Sequence, residues 1–313
     1  MSGFARRLQQ GAAGLIPGPS FGGFPDASTT GITGVGLTPA DLTASSSVTI
    51  SANDTVLDML DIAGTVRFAT GTNATGCIIK RCRIQTAGAT YAISVVNAGG
   101  PVIIEDCEII YTLPTSSLSG STAAISLSGS YAHQILRCDI SVFPHGIDCS
   151  GQPYLIQDNY IHDLAHYVDS NGQGTHNDCI YMASSNGGQI LHNSLLNPLP
   201  QTAAIINDVH AAGSGNFNGL TIDNNLMAGG GYTIYPVNDS TNPNNISFTN
   251  VHITNNVFSR LIGTAPGTQP YPAYYANGGN FGAKYPTGFS TYFADPSNVW
   301  SGNTWGDDGS TIP

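Results

Sequence analysis

Ile79-Lys80-Arg81-Cys82-Arg83-Ile84 is a six-residue phrase of the form apolar-x-x-Cys-x-apolar that recurs along the chain. Later copies carry Asn in place of Cys, as in Ile156-Gln157-Asp158-Asn159-Tyr160-Ile161. The central residues of the copies are Cys82, Cys107, Cys138, Asn159, Asn193, Asn225, Asn256 and Asn303. Their successive separations are 25, 31, 21, 34, 32, 31 and 47 residues. Self-similarity at such periods is typical of a solenoid or a repeat array.

A second apolar phrase follows most copies of the first. Its copies are Ala92-Ile93-Ser94-Val95, Ala124-Ile125-Ser126-Leu127, Gly146-Ile147-Asp148-Cys149, Cys179-Ile180-Tyr181-Met182, Ala204-Ile205-Ile206-Asn207 and Tyr232-Thr233-Ile234-Tyr235. Two short strands per repeat, separated by turns rich in Gly, Asn, Ser and Pro, describe one coil of a parallel β-helix. Loops of different length at the corners explain the unequal separations, because lengthening a loop costs little. We therefore predict an all-β, single-domain β-solenoid.

The Cys or Asn of each phrase is predicted to form an internal column. Equivalent residues of neighbouring coils stack about 4.8 Å apart, which is the spacing of paired strands. An Asn amide suits this position because it can bond to nearby backbone and to the next Asn. Cys suits it as a small buried filler. Six cysteines also allow a secreted disulfide framework, but their repeat positions favour free, buried thiols.

Composition and charge restrict the function. The 313 residues include only 9 Lys plus Arg and 20 Asp plus Glu, well below the usual charged fraction of about a quarter. The formal net charge of −11 argues against nucleic-acid binding, which calls for a basic face. It also makes a strongly acidic polysaccharide an awkward ligand, whereas a neutral glycan is compatible with it.

The chain is predicted to divide into residues 1–44, an N-terminal arm and cap, and residues 45–313, the β-solenoid. Arg6 and Arg7 are followed by Gln and Gly rather than by an apolar run, so we predict no signal peptide. No apolar run is long enough for membrane insertion. Residues 1–20 are either a flexible arm or a docking tail, and residues 21–44 are expected to run extended over the open end of the stack.

A long loop insertion is predicted at about residues 261–299. It carries many aromatic residues among Gly and Pro: Tyr271, Tyr274, Tyr275, Phe281, Tyr285, Phe289, Tyr292 and Phe293. Such a segment either covers the lower coils or presents a sugar-stacking or partner-binding surface.

The two ends of the chain resemble a known group of proteins. Phe24-Pro25-Asp26-Ala27-Ser28-Thr29-Thr30-Gly31, the coil at 56–68 and the ending Asn298-Val299-Trp300-Ser301-Gly302-Asn303-Thr304-Trp305 are similar to right-handed parallel β-helix proteins of actinobacteria and their phages. The phage members are taken as minor tail proteins, and the wider pectate-lyase-like superfamily contains lyases, glycosidases and tailspikes. The resemblance implies a right-handed coil, a place on the phage tail, contacts with other tail proteins and a homotrimer.

The middle of the chain holds the candidate catalytic residues Asp148, Asp178, His145 and His176. His176-Asn177-Asp178-Cys179-Ile180-Tyr181 resembles a His-Asn-Asp-Gly-Ile-Gln phrase of the same group, with Cys179 and Tyr181 as departures. Aligning coils on Ile147 and Ile180 places His145 level with Asp178, and Asp148 level with Tyr181. An Asp beside a His orients the imidazole and raises its basicity, which suits a general base.

The candidate glycan-binding residues are Tyr181, Tyr235, His162 and Asp163. The polar residues in these coils also allow a purely structural role, in which they satisfy turn backbone groups. Carboxylates with Asn oxygens can hold Ca²⁺, but no loop has the spacing of a known calcium motif, so we expect no metal and no cofactor.

Two functions remain open from the sequence. The first is a phage tail protein that binds bacterial surface polysaccharide, in the virion and extracellular once released. The second is a polysaccharide-degrading enzyme of the same fold. A lyase is disfavoured because no Lys or Arg lies in the coils around Asp148 and Asp178. A hydrolase requires two carboxylates about 5 to 10 Å apart, a spacing that neighbouring coils allow.

Overall fold

The computed structural model describes residues 22–112, 122–151, 153–166, 175–197, 199, 202–208, 214–230, 233–237, 246–259, 295–306 and 308–312. The predictions for residues 1–20 and for most of the insertion at 261–299 lie outside these residues, as do the aromatic residues of that insertion.

The described chain is nearly all β-structure, with short strands numbered here β1 to β28 in chain order. Its helical elements are α1 (Gly31–Gly34) and a 3₁₀ turn (Pro39–Asp41). Most strands belong to three long parallel stacks, which we name A, B and C.

Stack A is a nine-stranded parallel sheet. Its strands are β2 (Val56–Asp58), β4 (Cys77–Lys80), β7 (Val102–Glu105), β10 (His133–Leu136), β13 (Tyr154–Gln157), β17 (Gln189–Leu191), β21 (Thr221–Asp223), β25 (His252–Thr254) and β27 (Val299–Ser301).

Stacks B and C share the long strand β3 (Leu60–Phe68), which pairs with β5 through its first half and with β6 through its second. Stack B continues as β5 (Arg83–Thr86), β8 (Glu108–Tyr111), β11 (Asp139–Ser141), β14 (Tyr160–His162), β18 (Ser194–Asn197), β22 (Leu226–Gly229), β26 (Val257–Ser259) and β28 (Thr304–Trp305). Stack C continues as β6 (Tyr91–Ser94), β9 (Ala123–Ser126), β12 (His145–Cys149), β15 (Asp178–Met182), β19 (Ala203–Asp208) and β23 (Ile234–Val237). A smaller parallel sheet contains β16 (Ser185–Asn186), β20 (Phe217–Asn218) and β24 (Phe248–Thr249).

The chain visits the stacks in the order A, B, C and returns to A one rung further along, as in β4, β5, β6 and β7. Each six-residue phrase therefore spans two strands and the corner between them, not one strand as the sequence suggested. The residue before the central Cys or Asn makes this corner by adopting a left-handed backbone conformation, as Arg81 does with φ 50°. The equivalent residues are Asp106, Arg137, Asp158, His192, Asn224, Asn255 and Gly302.

The predicted asparagine column is confirmed. The side-chain amide of Asn193 donates to Asn225 Oδ1 and to the carbonyl of Ile156, both at 2.9 Å. Asn193 Oδ1 accepts the backbone N–H of Asn159 at 2.9 Å. The same pattern continues through Asn256 to Asn303. The column therefore satisfies buried backbone groups from coil to coil, which is what buried polar groups require.

The cysteines extend this column upward. Cys82, Cys107 and Cys138 are completely buried, and the backbone N–H of Cys138 donates to Asn159 Oδ1 at 2.9 Å. All six cysteines are free and buried, as predicted. Burial raises the pKa of the Cys107 thiol well above its usual range, so this thiol is neutral and only a weak donor.

Columns of apolar side chains, most of them aliphatic, fill the interior between the stacks. Stack A contributes Ile79, Ile104, Ile135, Ile156, Ile190, Ile222 and Ile253; stack B contributes Ile62, Ile84, Ile109, Ile140, Ile161, Leu195, Met227 and Phe258; stack C contributes Ile93, Ile125, Ile147, Ile180, Ile205 and Ile234. Each is fully buried, and burying such a side chain contributes about 1.5 to 3 kcal/mol.

The N-terminal segment, residues 22–42, follows a different path from the one expected. Its amide at Gly31 donates to the Arg137 carbonyl at 2.8 Å, and Ser194 Oγ donates to the Pro25 carbonyl at 2.6 Å. These contacts lie on the flank of stack B rather than over the end of the stack. Strand β1 (Thr43–Ile50) covers the end instead, because it pairs with β3.

The last residues cover the opposite end of stack B. The Trp305 backbone N–H donates to the Ser310 carbonyl at 2.8 Å, and that of Ile312 donates to the Asn303 carbonyl at 2.9 Å. Exposed strand edges invite edge-to-edge association. In stack B, β1 covers the edge at one end and the last residues cover the edge at the other, so both edges are protected.

Replacing Asn193 by Ala removes side-chain bonds to two neighbouring coils and leaves their buried backbone groups unpaired. We expect Asn193→Ala to lower the free energy of unfolding by about 3 to 5 kcal/mol, measured from the midpoint of chemical denaturation. Asn186→Ala is the matched control, because Asn186 is exposed on β16 and should change stability by less than about 0.5 kcal/mol. Equal effects of the two substitutions would contradict a structural role for the column.

Candidate functional site

Stack C brings together the residues that the sequence singled out in the middle of the chain. In the pairing of β12 with β15, His145 lies opposite Asp178, Ile147 opposite Ile180 and Asp148 opposite Tyr181. The register predicted from the two Ile residues is therefore confirmed.

His145 lies between two carboxylates. Its Nδ1 is 2.9 Å from Asp148 Oδ1 and its Nε2 is 3.7 Å from Asp178 Oδ2. Nε2 is buried and has no hydrogen-bond partner within the described part of the chain. Burial opposes a charge on this ring, but the Asp148 and Asp178 carboxylates outweigh it, so the pKa of His145 is raised. The ring therefore favours the protonated form.

Asp178 is completely buried, and both of its carboxyl oxygens are engaged. Oδ1 accepts the backbone N–H of Ala203 at 2.9 Å, and Oδ2 accepts the hydroxyl of Thr202 at 3.1 Å. Desolvation raises the pKa of Asp178 to about 7, although the nearby His145 acts in the opposite direction. The carboxyl group of Asp178 therefore keeps its proton to a higher pH than an ordinary Asp does.

Tyr181 forms the outer part of this cluster. Its ring stacks on that of His145, with centroids 5.3 Å apart and an angle of 12° between the planes. Its hydroxyl donates to Asp208 Oδ2 at 2.9 Å. Burial and the adjacent Asp208 raise the pKa of Tyr181, so the hydroxyl stays protonated.

Asp208 and Tyr91 were missed in the sequence. Asp208 ends β19 just beyond the four-residue phrase, which is why phrase alignment did not include it. Tyr91 starts β6 and aligns through Ala123 with His145. Burial and the charge of Asp148 raise the pKa of Tyr91, so its hydroxyl stays protonated.

The structure describes no contact of His176 with the cluster and does not describe the side chain of Tyr235. His176 is exposed, and no hydrogen bond or ion pair joins it to the rest of the described chain. The backbone of Tyr235 lies in β23 opposite Ile206, and its side chain is outside the description.

His162 and Asp163 lie at stack B, not at stack C. His162 Nδ1 is 2.9 Å from Asp163 Oδ2, and its Nε2 is 2.9 Å from Asp139 Oδ1. The ring also stacks on Tyr160 at 3.9 Å. Burial lowers its pKa, but the hydrogen bonds to Asp139 and Asp163 raise the pKa of His162 to about 9. Both ring nitrogens are occupied, so the pair forms a second, separate polar cluster.

The two carboxyl groups beside His145 differ in exposure. Asp148 has a side chain 19% exposed, whereas that of Asp178 is 0% exposed. A glycoside hydrolase needs two carboxyl groups that both reach the scissile bond. Of these two carboxyl groups only Asp148 reaches the surface, and His145 contacts it from the buried side.

A metal-binding or membrane-spanning element is not found in the described residues. No group of three or more His, Cys, Asp or Glu side chains there could hold a metal ion, and no described helix is long and apolar enough to cross a membrane. A small pocket of about 120 Å³ lies elsewhere, where Gly31 and Ile32 face Glu108 and Asp139.

Comparisons of the chain with protein-family models, with curated proteins and with solved structures find no match. The structure alone defines the class of this protein, which is all-β and built of long parallel strand stacks. The resemblance of its two ends to phage-type β-helix proteins stays a prediction.

The raised pKa of His145 should depend on Asp148. We expect Asp148→Asn to lower the pKa of His145 by about one unit or more, because burial then dominates over the remaining carboxylate. The measurement is an NMR titration of the histidine ring resonances.

The second cluster supplies the matched control. Asp163→Asn should lower the pKa of His162 and leave that of His145 unchanged, since the two histidines are in different stacks. An unchanged His145 titration in Asp148→Asn would contradict the assigned ion pair.

Proposed function

We propose that the three stacks are the faces of one right-handed parallel β-helix of the pectate-lyase-like type. Each repeat gives one strand to each stack in a constant order, and every pairing within the stacks is parallel. Crossover connections between parallel strands are right-handed in about 98% of cases. The inward Asn and Cys column supports a coil that repeats about one axis.

The protein is a phage tail component, of the minor tail or tailspike-like type, that contacts the bacterial envelope by binding a surface glycan. The tail assignment rests on the resemblance of residues 24–31, 56–68 and 298–305. The same resemblance implies that the protein is a homotrimer, contacts other tail proteins and lies on the virion, so that it is extracellular once the virion is released.

The glycan assignment rests on one observation, the pair of Asp148 and Tyr181 on adjacent rungs of stack C. Both side chains are partly exposed. A carboxylate accepts hydrogen bonds from sugar hydroxyls, and an aromatic side chain provides an apolar face with a polar handle. His145 fixes Asp148, and Asp208 fixes Tyr181. Such pre-organisation reduces the entropy lost on binding.

The charges of the cluster indicate the kind of glycan. Asp148 and Asp178 lie on either side of His145, Asp208 accepts the hydroxyl of Tyr181, and the chain as a whole carries a net charge of −11. An anionic sugar would be repelled from such a surface. A neutral glycan, or one that carries amines, fits better.

Glycan cleavage is the alternative, and the raised pKa of Asp178 favours it because a general acid needs a proton near neutral pH. The burial of Asp178 counts against it, since a proton donor must reach the leaving oxygen. Binding is therefore the function that the geometry supports better.

The test is to incubate the purified protein with polysaccharide extracted from the envelopes of a panel of actinobacterial strains. Binding is followed by calorimetry and bond cleavage by the release of reducing ends. We expect binding to one or more extracts, a loss of affinity of about tenfold or more in Tyr181→Ala and in Asp148→Asn, and no release of reducing ends.

Two control variants locate the surface. Tyr131→Ala removes another partly exposed tyrosine, and Asp163→Asn removes a carboxylate of the stack B cluster; both should bind like the wild type. Loss of binding in Asp163→Asn but not in Asp148→Asn would show that the glycan-binding surface lies on stack B. If the wild type released reducing ends and Asp148→Asn did not, the result would favour a glycan-cleaving enzyme instead.

A further inference from the structure

Stack A carries aliphatic side chains on its outward face as well as on its inward one. Six successive strands, from β2 to β17, each have one such outward residue. These residues, which we name the apolar strip, are Val56, Ile78, Ile103, Leu136, Leu155 and Leu191. All six side chains are at least partly exposed, and Val56 is 49% exposed. Since paired strands are about 4.8 Å apart, the strip is about 24 Å long.

The strand register keeps the apolar strip continuous. Ile78 lies opposite Val56, and Ile103 lies opposite Ile78. Gln134 then lies opposite Ile103 on one side and Leu155 on the other. The two remaining members of the strip occupy the next outward row, two residues further along their strands. The strip is therefore one contiguous surface and not a set of scattered apolar residues.

The outward faces of the other two stacks are arranged differently. The N-terminal segment, residues 22–42, runs along the flank of stack B, where Ser194 donates to the Pro25 carbonyl. On stack C, the outward row contains Ser94, Ser126 and Ile206, and all three are buried. The apolar strip stays partly exposed next to the rest of the described chain. Contiguous exposed apolar surface of this kind marks an interaction site.

The charges beside the apolar strip balance one another. Three cations lie there in ion pairs with three carboxylates: Lys80, Arg81 and Arg137 with Asp58, Glu105 and Asp106. These six charges cancel, whereas the whole chain carries a net charge of −11. Two copies of an acidic chain repel each other over surfaces with excess negative charge. They meet without that repulsion where the charges cancel.

We propose that the apolar strip of stack A is the surface through which copies of this chain associate with one another. An apolar centre with a charged rim is the usual anatomy of a protein–protein interface. A second copy fits this face better than a different protein does, because the face has no net charge with which to attract a partner of opposite sign. The inference rests on the proposed function only for the number of copies, three, and the location of the interface comes from the strip itself.

Sedimentation velocity of the full chain at several protein concentrations tests the interface. We expect the wild type to be an oligomer. Ile103→Glu and Leu155→Glu should each raise the dissociation constant about tenfold or more, because each places an unpaired carboxylate within the apolar contact. Val96→Glu is the matched control. Val96 is 44% exposed in the turn after β6, so this variant should assemble like the wild type.

Cross-linking tests the same face with a milder substitution. The six native cysteines are buried, so a cysteine added at the surface is the accessible thiol. Gln134→Cys places it in the middle of the apolar strip, and a short bifunctional maleimide should join copies of this variant. Asn186→Cys, at an exposed position on β16, is the control and should remain unlinked.

A monomeric wild type would overturn the proposal. So would an oligomer that neither Ile103→Glu nor Leu155→Glu weakens while circular dichroism shows both variants to be folded. If the Glu variants fail to fold, the cross-linking decides, and linkage of Asn186→Cys but not of Gln134→Cys would place the interface elsewhere.

Calorimetry with the envelope polysaccharides on the same samples separates this inference from the proposed function. A monomer that binds a polysaccharide contradicts the interface and leaves the glycan assignment standing. An oligomer that depends on the apolar strip but binds none of the extracts contradicts the glycan assignment and leaves the interface standing.

Discussion

The side-chain amides of Asn159, Asn193, Asn225 and Asn256 each connect three successive coils, and the stability of the whole arrangement depends on them. Asn225, for example, donates through Nδ2 to Asn256 on one side and to the Ile190 carbonyl on the other. A corner turn leaves backbone groups inside the coil that cannot find partners within the same repeat. The neighbouring coils supply those partners, so a repeat is stable only when it is stacked.

The upper coils replace this amide by a thiol, which is a weak donor and acceptor. In these coils charged corner residues connect one repeat to the next: Arg81 Nε donates to Asp58 at 2.8 Å, and Arg137 binds Asp106 and Glu105. Partly exposed ion pairs contribute about 0 to 1 kcal/mol each. An internal hydrogen bond contributes about 1 kcal/mol, and each Asn makes several. The lower coils are therefore joined more strongly at this corner than the upper ones.

The sequence predicted the parts of the structure that follow from stacking alone. Parallel strands one coil apart keep their register, so aligning Ile147 with Ile180 was enough to pair His145 with Asp178. The third stack was not predicted, because corner residues such as Arg81 and Asp106 adopt positive φ without the Gly that usually signals it. The docking of the N-terminal segment was missed because it joins His192 to Gly23, 169 positions apart. The burial of Asp178 depends on Thr202 and Ala203, which no repeated phrase contains.

The burial of Asp178 is the feature of stack C that makes us propose binding rather than catalysis there. A catalytic acid has to give up its proton to a substrate atom, and the carboxyl of Asp178 instead faces a backbone N–H, a hydroxyl and a histidine. Rotating it outward would break those bonds within a buried interior, where unpaired polar groups are costly. Asp148 and Tyr181 need no such movement, because the groups that hold them lie behind or beside them and their outer sides remain partly exposed. In the proposed binding surface, the buried histidine and aspartate act as a rigid support, which is a role that the same residue types would not reveal in the sequence.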